Sequence, residues 1–369
     1  MVLFLIISLF IFLLWTLWNM SGLPGLSSAP KMNISFQPLV SVLVPLRNEE
    51  RNVVGLISNL KSLTYPHVEI LLLDDGSTDQ TLALLQDKTS GDSRFKILTG
   101  KELPAGWAGK VHACHQLQEK AKGDYFLFID ADVRLKSSVI EKALTLLNKQ
   151  NAQLLTGFPS FEVPGILSKL PIPMMHFVVL FHLPIHLANK GKMPAATAAN
   201  GVFMFFEKIA YLKIGGHRTV QTSIVEDVHL AKQMKISGCK VCLANISTDV
   251  SCRMYERNSE VWEGFVKNIF SGLGRSVMMV ILLSIFYGFF YVLPGVLMVW
   301  GLWTLQPLYL FPYLLIVLQR MLVDWKANQR LSLSFFMPLS AATMVIIMNA
   351  SMWRWIRKKP YSWKGRQYT

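Results

Sequence analysis

The sequence predicts an α/β domain with a mixed, mostly parallel sheet, carried between membrane-spanning helices at its two ends. Three observations predict it. The middle of the chain alternates short apolar runs with segments of helical spacing. Both ends hold long stretches without charge. Hydrophobic residues make up 52% of the 369 and charged residues only 16%, against about 25% charged in an ordinary soluble domain.

Val2 to Trp18 has no charged residue and reads as a short span. A cleaved signal peptide would want a basic residue before the run and a small-x-small site after it. No Lys or Arg precedes it and NMSGLPGLSSAP follows, so the segment reads as an uncleaved anchor. The first positive charges, Lys31, Arg47 and Arg51, put the following domain on the cytosolic side.

Leu39–Pro45 reads as a buried strand. Glu50–Leu63 has apolar residues at Val53, Val54, Leu56, Ile57, Leu60 and Leu63, which is helix spacing. Val68–Leu73 is a second strand, ending at Asp74-Asp75-Gly76-Ser77, and a helix starts over Thr78–Gln86. Phe95–Leu98 is a third strand and Val111–Ala121 a helix. Tyr125–Ile129 is a fourth strand, ending at Asp130-Ala131-Asp132. In such sheets ligands bind at the carboxyl ends of the strands, and both acidic clusters fall there.

Ser276 to Gln319 is again uncharged, interrupted by Pro294-Gly295, Pro307 and Pro312, and Leu331–Trp353 is a further apolar run. Spans are expected near 277–303 and 333–353, with 308–323 either a third span or a shallow re-entrant piece. The tail carries Arg354, Arg357, Lys358, Lys359, Lys364 and Arg366. The positive-inside rule wants it cytosolic, which requires an even number of crossings after a cytosolic middle domain. The expected organisation is an anchor over 1–20, a catalytic domain over 38–275, membrane helices over 276–353 and a basic tail over 354–369. That is a multi-pass cell-membrane protein with a cytoplasmic catalytic domain.

The formal net charge of +14 is read as attraction to an anionic membrane surface. No zinc-finger spacing or basic helix with interleaved aromatics argues for nucleic acid. Cys239 and Cys242 form a C-x-x-C without a second pair, and residues 237–244 read as a strand that would send the two thiols to opposite faces. They and Cys114 and Cys252 are read as reduced, buried thiols.

The chemistry is sought in three acidic pairs. Asp130 and Asp132, two apart at a strand end, can face one side and hold a hard divalent cation, Mg2+ or Mn2+. Such an ion would also hold a departing diphosphate. Asp74 and Asp75, before a glycine, can accept hydrogen bonds from a base or ribose, although Asp-Gly is also an ordinary turn. In TSIVEDVHLAKQMK, Glu226 and Asp227 suit either a helix N-terminus or a general base.

Taken in order, SVLVPLRNEERN, ILLLDDGSTDQT, GDYFLFIDADV and IVEDVHLAKQMKISG resemble the family 2 glycosyltransferases over roughly residues 40 to 275. LPAGWAGKVHACHQL, ANGVFMFFEKIAYLKIGGH, RMYERNSEVWEGFVKNIF and WKGRQY are similar to the membrane-bound carotenoid glycosyltransferases. The layout more distantly resembles the ceramide glucosyltransferases. The resemblance implies a GT-A nucleotide-sugar fold and inverting transfer of one sugar from a nucleotide donor, usually a uridine diphosphate sugar, to a lipid-like acceptor. It implies Asp75, with Asp74, at the nucleoside. It places Asp130 and Asp132 at the metal and diphosphate, Lys110 near the donor, and Asp227 as base. The Q-x-x-R-W of processive synthases in this family is missing; Arg253, Arg257 and Trp262 stand in that region at other spacing. This disfavours a polymerising synthase. An inactive scaffold is disfavoured by the intact Asp75, Asp130, Asp132 and Asp227. Trp363, Lys364, Gly365 and Arg366 are read either as diphosphate contacts from the tail or as a basic membrane-surface segment.

Residues 164–194 are apolar but broken by prolines. They are expected to lie in the membrane interface and open a path for the acceptor. His176, His182 and His186 within them are read as interfacial or core residues. Glu263, Lys267 and Phe270 share a helical stripe, read as a packed surface or as an acceptor contact.

Overall fold

The computed structural model describes residues 1–26, 37–191 and 193–358, and the backbone alone of 361–363 and 366–368. It forms two compact units. One is Leu23–Ser160 with Ile185–Cys252; the other is Met1–Gly22, Phe161–Pro184 and Arg253–Thr369. The units cut across the expected boundaries. Phe161–Pro184 and the stretch from Arg253 onward pack with the apolar helices, and Ile185 returns the chain to the α/β unit.

The α/β unit is built on a seven-stranded sheet. Its first strands are β1 (Val40–Leu46), β2 (Val68–Asp74), β3 (Phe95–Thr99) and β4 (Tyr125–Ile129). Strand β1 pairs parallel with β2 and β4, and β2 parallel with β3. Beyond β4 the sheet turns mixed. Phe203–Glu207 runs antiparallel to β4 and to Leu154–Phe158, which pairs parallel with Val241–Asn245. The inner strands read as near-continuous apolar runs, broken at Ser41 and Glu69, because both faces are covered. Every residue of β2 is buried, whereas the edge strand β3 is largely half-open. Between β1 and β2, the helix Glu50–Lys61 buries Val53, Leu56, Ile57 and Leu60 of the predicted stripe, while Val54 is exposed and Leu63 lies beyond the helix. The helix after β2 starts at Thr81, later than expected. The Asp79 carboxylate accepts from the Thr81 backbone N–H at 3.0 Å, leaving Thr78 outside.

A positive φ of 81° at Gly238 turns the chain out of the helix Glu226–Ile236. The strand therefore begins only at Val241, and Cys239 lies in the turn before it. The expected opposite-facing pair along one strand is not formed. All four cysteines are free and buried.

In the other unit, among the described residues, four helical stretches are long and apolar enough to cross a membrane: Val2–Ser21, Val277–Trp303, Pro307–Lys326 and Leu331–Ile356. Pro294 does not end its helix. A π turn at Gly288–Val292 precedes it, where a missing N–H and ring clash loosen the ladder. The stretch at 308–323 is thus a full candidate span. Three candidate crossings follow the α/β domain, not the even number that the tail charges require. The segment expected to lie in the interface is an internal helix, Pro171–His182, with Ile172, Met174 and Phe177 fully buried. Its prolines fall at the first turn, where the helix needs no N–H. His176 is buried with it, and His182 Nε2 lies 2.8 Å from the Tyr287 hydroxyl. Along the stripe Glu263 is exposed and Phe270 is buried. Glu263 pairs with Arg354 at 2.5 Å, and the Phe270 N–H donates to Ser351 Oγ at 3.1 Å.

Candidate active site

The parallel strands deliver the acidic residues to one sheet edge. Asp74 ends β2 and is buried, as is Asp75. The turn beyond them is tied to the end of β1. Arg47 donates from Nη1 to the carbonyls of Asp75 and, at 3.0 Å, Gly76. The Asn48 side chain accepts from the Thr78 N–H at 2.8 Å. Gly76 has φ 68°, a conformation that favours glycine. Asp74 Oδ2 accepts from the Ser77 N–H at 3.3 Å, while its Oδ1 is buried without a hydrogen-bond partner.

Asp130 and Asp132 follow β4. Lys110, on the helix Gly109–Lys120, puts its Nζ 2.7 Å from Asp130 Oδ1 and 3.1 Å from Glu226 Oε1. Glu226 and Asp227 open the helix Glu226–Ile236. Asp227 is held by backbone: Oδ2 accepts from the Gly201 N–H and Oδ1 from the Val228 N–H, both at 2.8 Å. Burial, then the neighbouring Glu226 carboxylate, pushes the Asp227 carboxyl up to about 7. Burial, then Asp130, pushes Asp132 up to about 6 against a hydrogen bond from Cys252. Lys110, Asp130, Gly201, Glu226 and Asp227 line one small cavity, floored by Cys114, Phe128 and His217. Burial holds the His217 imidazole neutral, down to about 3.

Lys110, Asp130 and Asp227 are therefore brought together around one cavity, and Asp132 follows Asp130 in the same turn. Asp74 and Asp75 stand at the end of β2, parallel to β4 in the same sheet and separated from it by β1. Arg253, Arg257 and Trp262 belong to the helical unit. There Arg253 pairs with Glu256 at 3.2 Å, Arg257 caps the helix Asn258–Gly272, and Trp262 lies in a surface groove with Glu263, Trp353 and Arg354. Lys364 and Gly365 lie outside the described residues. Trp363 and Arg366 are described only as paired backbone in a two-stranded hairpin. Sequence reasoning left out Glu226 as a partner of Lys110, Gly201 as a donor to Asp227, and Arg47 and Asn48 as ties for the nucleotide turn. The quoted segments ANGVF and PLRNEE contained three of these four residues.

The residues after β4 suit a divalent cation of the Mg2+ or Mn2+ kind. Asp132 Oδ1 is shielded and has no hydrogen-bond partner, and a cation would relieve the Asp130–Asp132 repulsion. No group of three or more His, Cys, Asp and Glu gathers as a metal cage among the described residues. That fits an ion held by one or two carboxylates plus substrate phosphates.

A sheet with acidic residues at the ends of two parallel strands, β2 and β4, together with a helix-borne carboxylate, has the arrangement of an α/β domain that binds its ligand at the carboxyl ends of the strands. Residues 41–207 match the family model for glycosyl transferase family 2. The 4,4'-diaponeurosporenoate glycosyltransferase of Staphylococcus haemolyticus (strain JCSC1435) is 26% identical over 254 residues, 66% of this chain and 65% of that protein. The one from Staphylococcus aureus (strain USA300) is 26% identical over 271 residues, 70% and 68%. The chain thus spans about two thirds of the length of these relatives. A mannosyltransferase from Pyrobaculum calidifontis, solved with GDP-Man and Mn2+, has the same fold at a TM-score of 0.57 and 15% identity, over 97% of this chain and 100% of that one. Residues 41–207 are thus similar to a family 2 glycosyltransferase domain, and the chain is similar to the carotenoid glycosyltransferases.

Proposed function

We propose that the protein transfers one hexosyl group from a UDP-sugar to a lipid-like acceptor at the cytosolic membrane face, inverting the anomeric carbon. A carotenoid acid or a glycolipid precursor fits the acceptor class. The observation that carries the reading is Asp227. Its carboxylate is aimed by two backbone N–H groups and poised between protonation states near neutral pH, as a general base requires. Asp227 takes the acceptor's proton while the acceptor oxygen bonds to the anomeric carbon and the bond to the nucleoside diphosphate breaks. Asp75 and Asp74, in the turn held by Arg47 and Asn48, receive the nucleoside. Lys110 steadies the diphosphate. Asp130 and Asp132 would hold the divalent cation, which supplies neutralising charge for the leaving group. The four apolar helices and the relatives support the membrane setting. The missing Q-x-x-R-W supports one transfer over polymerisation.

The test is a membrane-fraction assay with radiolabelled UDP-sugars and lipid extraction, for wild type and Asp227→Asn, with and without chelator. Label is expected in the organic phase of the wild type alone, and only without chelator. Label accumulating in polymer, or equal label in the mutant, overturns the proposal.

A further inference from the structure

Two carboxylates, those of Asp130 and Glu226, pair with one ammonium group, and those of Asp132 and Asp227 feel its charge at longer range. Lys110 Nζ bridges the turn after β4 and the start of the helix Glu226–Ile236, at 2.7 Å from Asp130 and 3.1 Å from Glu226. Room for it comes from Gly201, where a Cβ would stand 3.0 Å from Nζ. The bridge is open to solvent: the Lys110 side chain is 39% exposed and that of Asp130 31%. One oxygen of Asp130 is thus engaged by an ammonium, while Asp132 Oδ1 beside it has no hydrogen-bond partner.

Two cations on one carboxylate repel, and the repulsion between a single and a double charge a few ångströms apart is large. A lysine ammonium is a point charge on a flexible four-carbon stem, so it can leave Asp130 without disturbing the fold. A diphosphate is the group whose charge draws it away.

We propose that Lys110 and a divalent cation compete for Asp130: the ammonium pairs with Asp130 until a nucleoside diphosphate arrives, then moves to the diphosphate and leaves Asp130 to the metal. This rests on the glycosyl-transfer reading above. Its consequence is a coupling. Metal and nucleoside diphosphate each bind weakly alone and tightly together, and by linkage each raises the other's affinity by the same factor.

The experiment measures Mn2+ affinity by electron paramagnetic resonance on the full-length protein in detergent, with and without UDP. UDP is expected to tighten Mn2+ binding to the wild type at least about tenfold beyond the affinity of UDP itself for Mn2+, and Lys110→Met to bind Mn2+ alone about tenfold more tightly than wild type. The same variant then gains more thermal stability from Mn2+ alone than wild type does. Lys110→Arg, which keeps the charge, is expected to keep the weak affinity, and it serves if Lys110→Met does not fold. Equal or weaker Mn2+ binding by Lys110→Met, tighter binding by Lys110→Arg, or a wild-type affinity indifferent to UDP overturns the proposal. The lipid assay separates the two readings. Absence of lipid product with the Mn2+–UDP coupling intact defeats the acceptor reading alone; absence of coupling with product intact defeats the exchange alone.

Discussion

Arg320 and Lys110 each hold carboxylates, one in each compact unit, and they are built on opposite arithmetic. Arg320 and Asp324 sit one helical turn apart, both fully buried, with Arg320 Nε 2.8 Å from both carboxylate oxygens. The Ser334 hydroxyl adds a bond to Asp324 at 3.0 Å. There one positive charge answers one negative charge and water is excluded. Around Lys110 one positive charge answers two carboxylates directly and two more at longer range, and the bridge is open to solvent. A balanced, sealed pair has nothing left to offer a ligand and braces a helical scaffold. An unbalanced, open cluster stores negative charge that only an incoming cation and proton traffic can use.

The contrast is broken most easily at Asp227. Asp227→Asn keeps the size and one of the two backbone hydrogen bonds, since its amide NH2 cannot accept from the second N–H, and removes the base. Sugar transfer is expected to fall by about 10²- to 10⁴-fold, with UDP affinity unchanged in a binding titration. A variant as active as wild type would strip the cluster of its catalytic meaning. The next largest effect belongs to the other unit and is one of stability. Arg320→Met leaves Asp324 buried without its partner, a loss of about 3–5 kcal/mol. It is read as a lowered thermal midpoint in detergent and loss of folded protein. Arg320→Met combined with Asp324→Leu restores most of it. Lys110→Met lowers the midpoint far less, because water screens what it leaves behind. Equal losses at the two lysine and arginine sites would erase the distinction.

How much of this was legible beforehand follows from the range over which each signal acts. Strands β1 to β4 and the acids at their ends were legible because a buried parallel strand is a local run of Val, Leu and Ile and its end is marked by Asp. Asp130 and Asp132 could be paired from their spacing alone. The meeting of Lys110 with Glu226 was not legible. It is made by the crossover of Phe203–Glu207 into the sheet and by the return of the helix Glu226–Ile236, both long-range. Gly201 carries its role in a backbone N–H and in the lack of a Cβ, neither of which has a pattern. The segment 164–194 misled for another reason. An apolar run with prolines carries no period to separate an interfacial helix from an internal one, and the structure buries Ile172, Met174 and Phe177 completely.

Proton traffic sharpens the comparison further. The Asp227 carboxyl is raised to about 7, so the transfer rate is expected to rise with pH through about 7 as the base ionises. Glu226 is a cause of that rise, so Glu226→Gln moves the acid limb to lower pH. The sign for stability is opposite. The folded state holds this proton more tightly than the unfolded chain, whose ordinary value is 3.8, so the group's contribution falls as pH climbs from about 4 to about 7. Rate profiles and thermal midpoints across that range, measured for both proteins, check the two signs together. A limb that Glu226→Gln leaves in place would show that some other group sets it.

The smallest effect tests the room made for Lys110. In Gly201→Ala the new methyl would stand 3.0 Å from Lys110 Nζ, 3.6 Å from Glu226 Oε1 and 3.7 Å from Asp227 Oδ2. The near neighbour is the tip of a flexible side chain, so a few tenths of an ångström of movement relieve it. Gly157 is the control, because its added Cβ would strike the Ala244 carbonyl within the sheet, where backbone cannot yield. A full 1 Å misplacement costs on the order of 10²-fold in rate, so this smaller shift at Gly201 is expected to cost less than about tenfold. Gly157→Ala is expected to lower the thermal midpoint while Gly201→Ala leaves it in place. A Gly201→Ala protein that transfers sugar at the wild-type rate and binds Mn2+ as wild type does would mean that the missing Cβ makes no room that the lysine needs, leaving position 201 only its backbone N–H to Asp227.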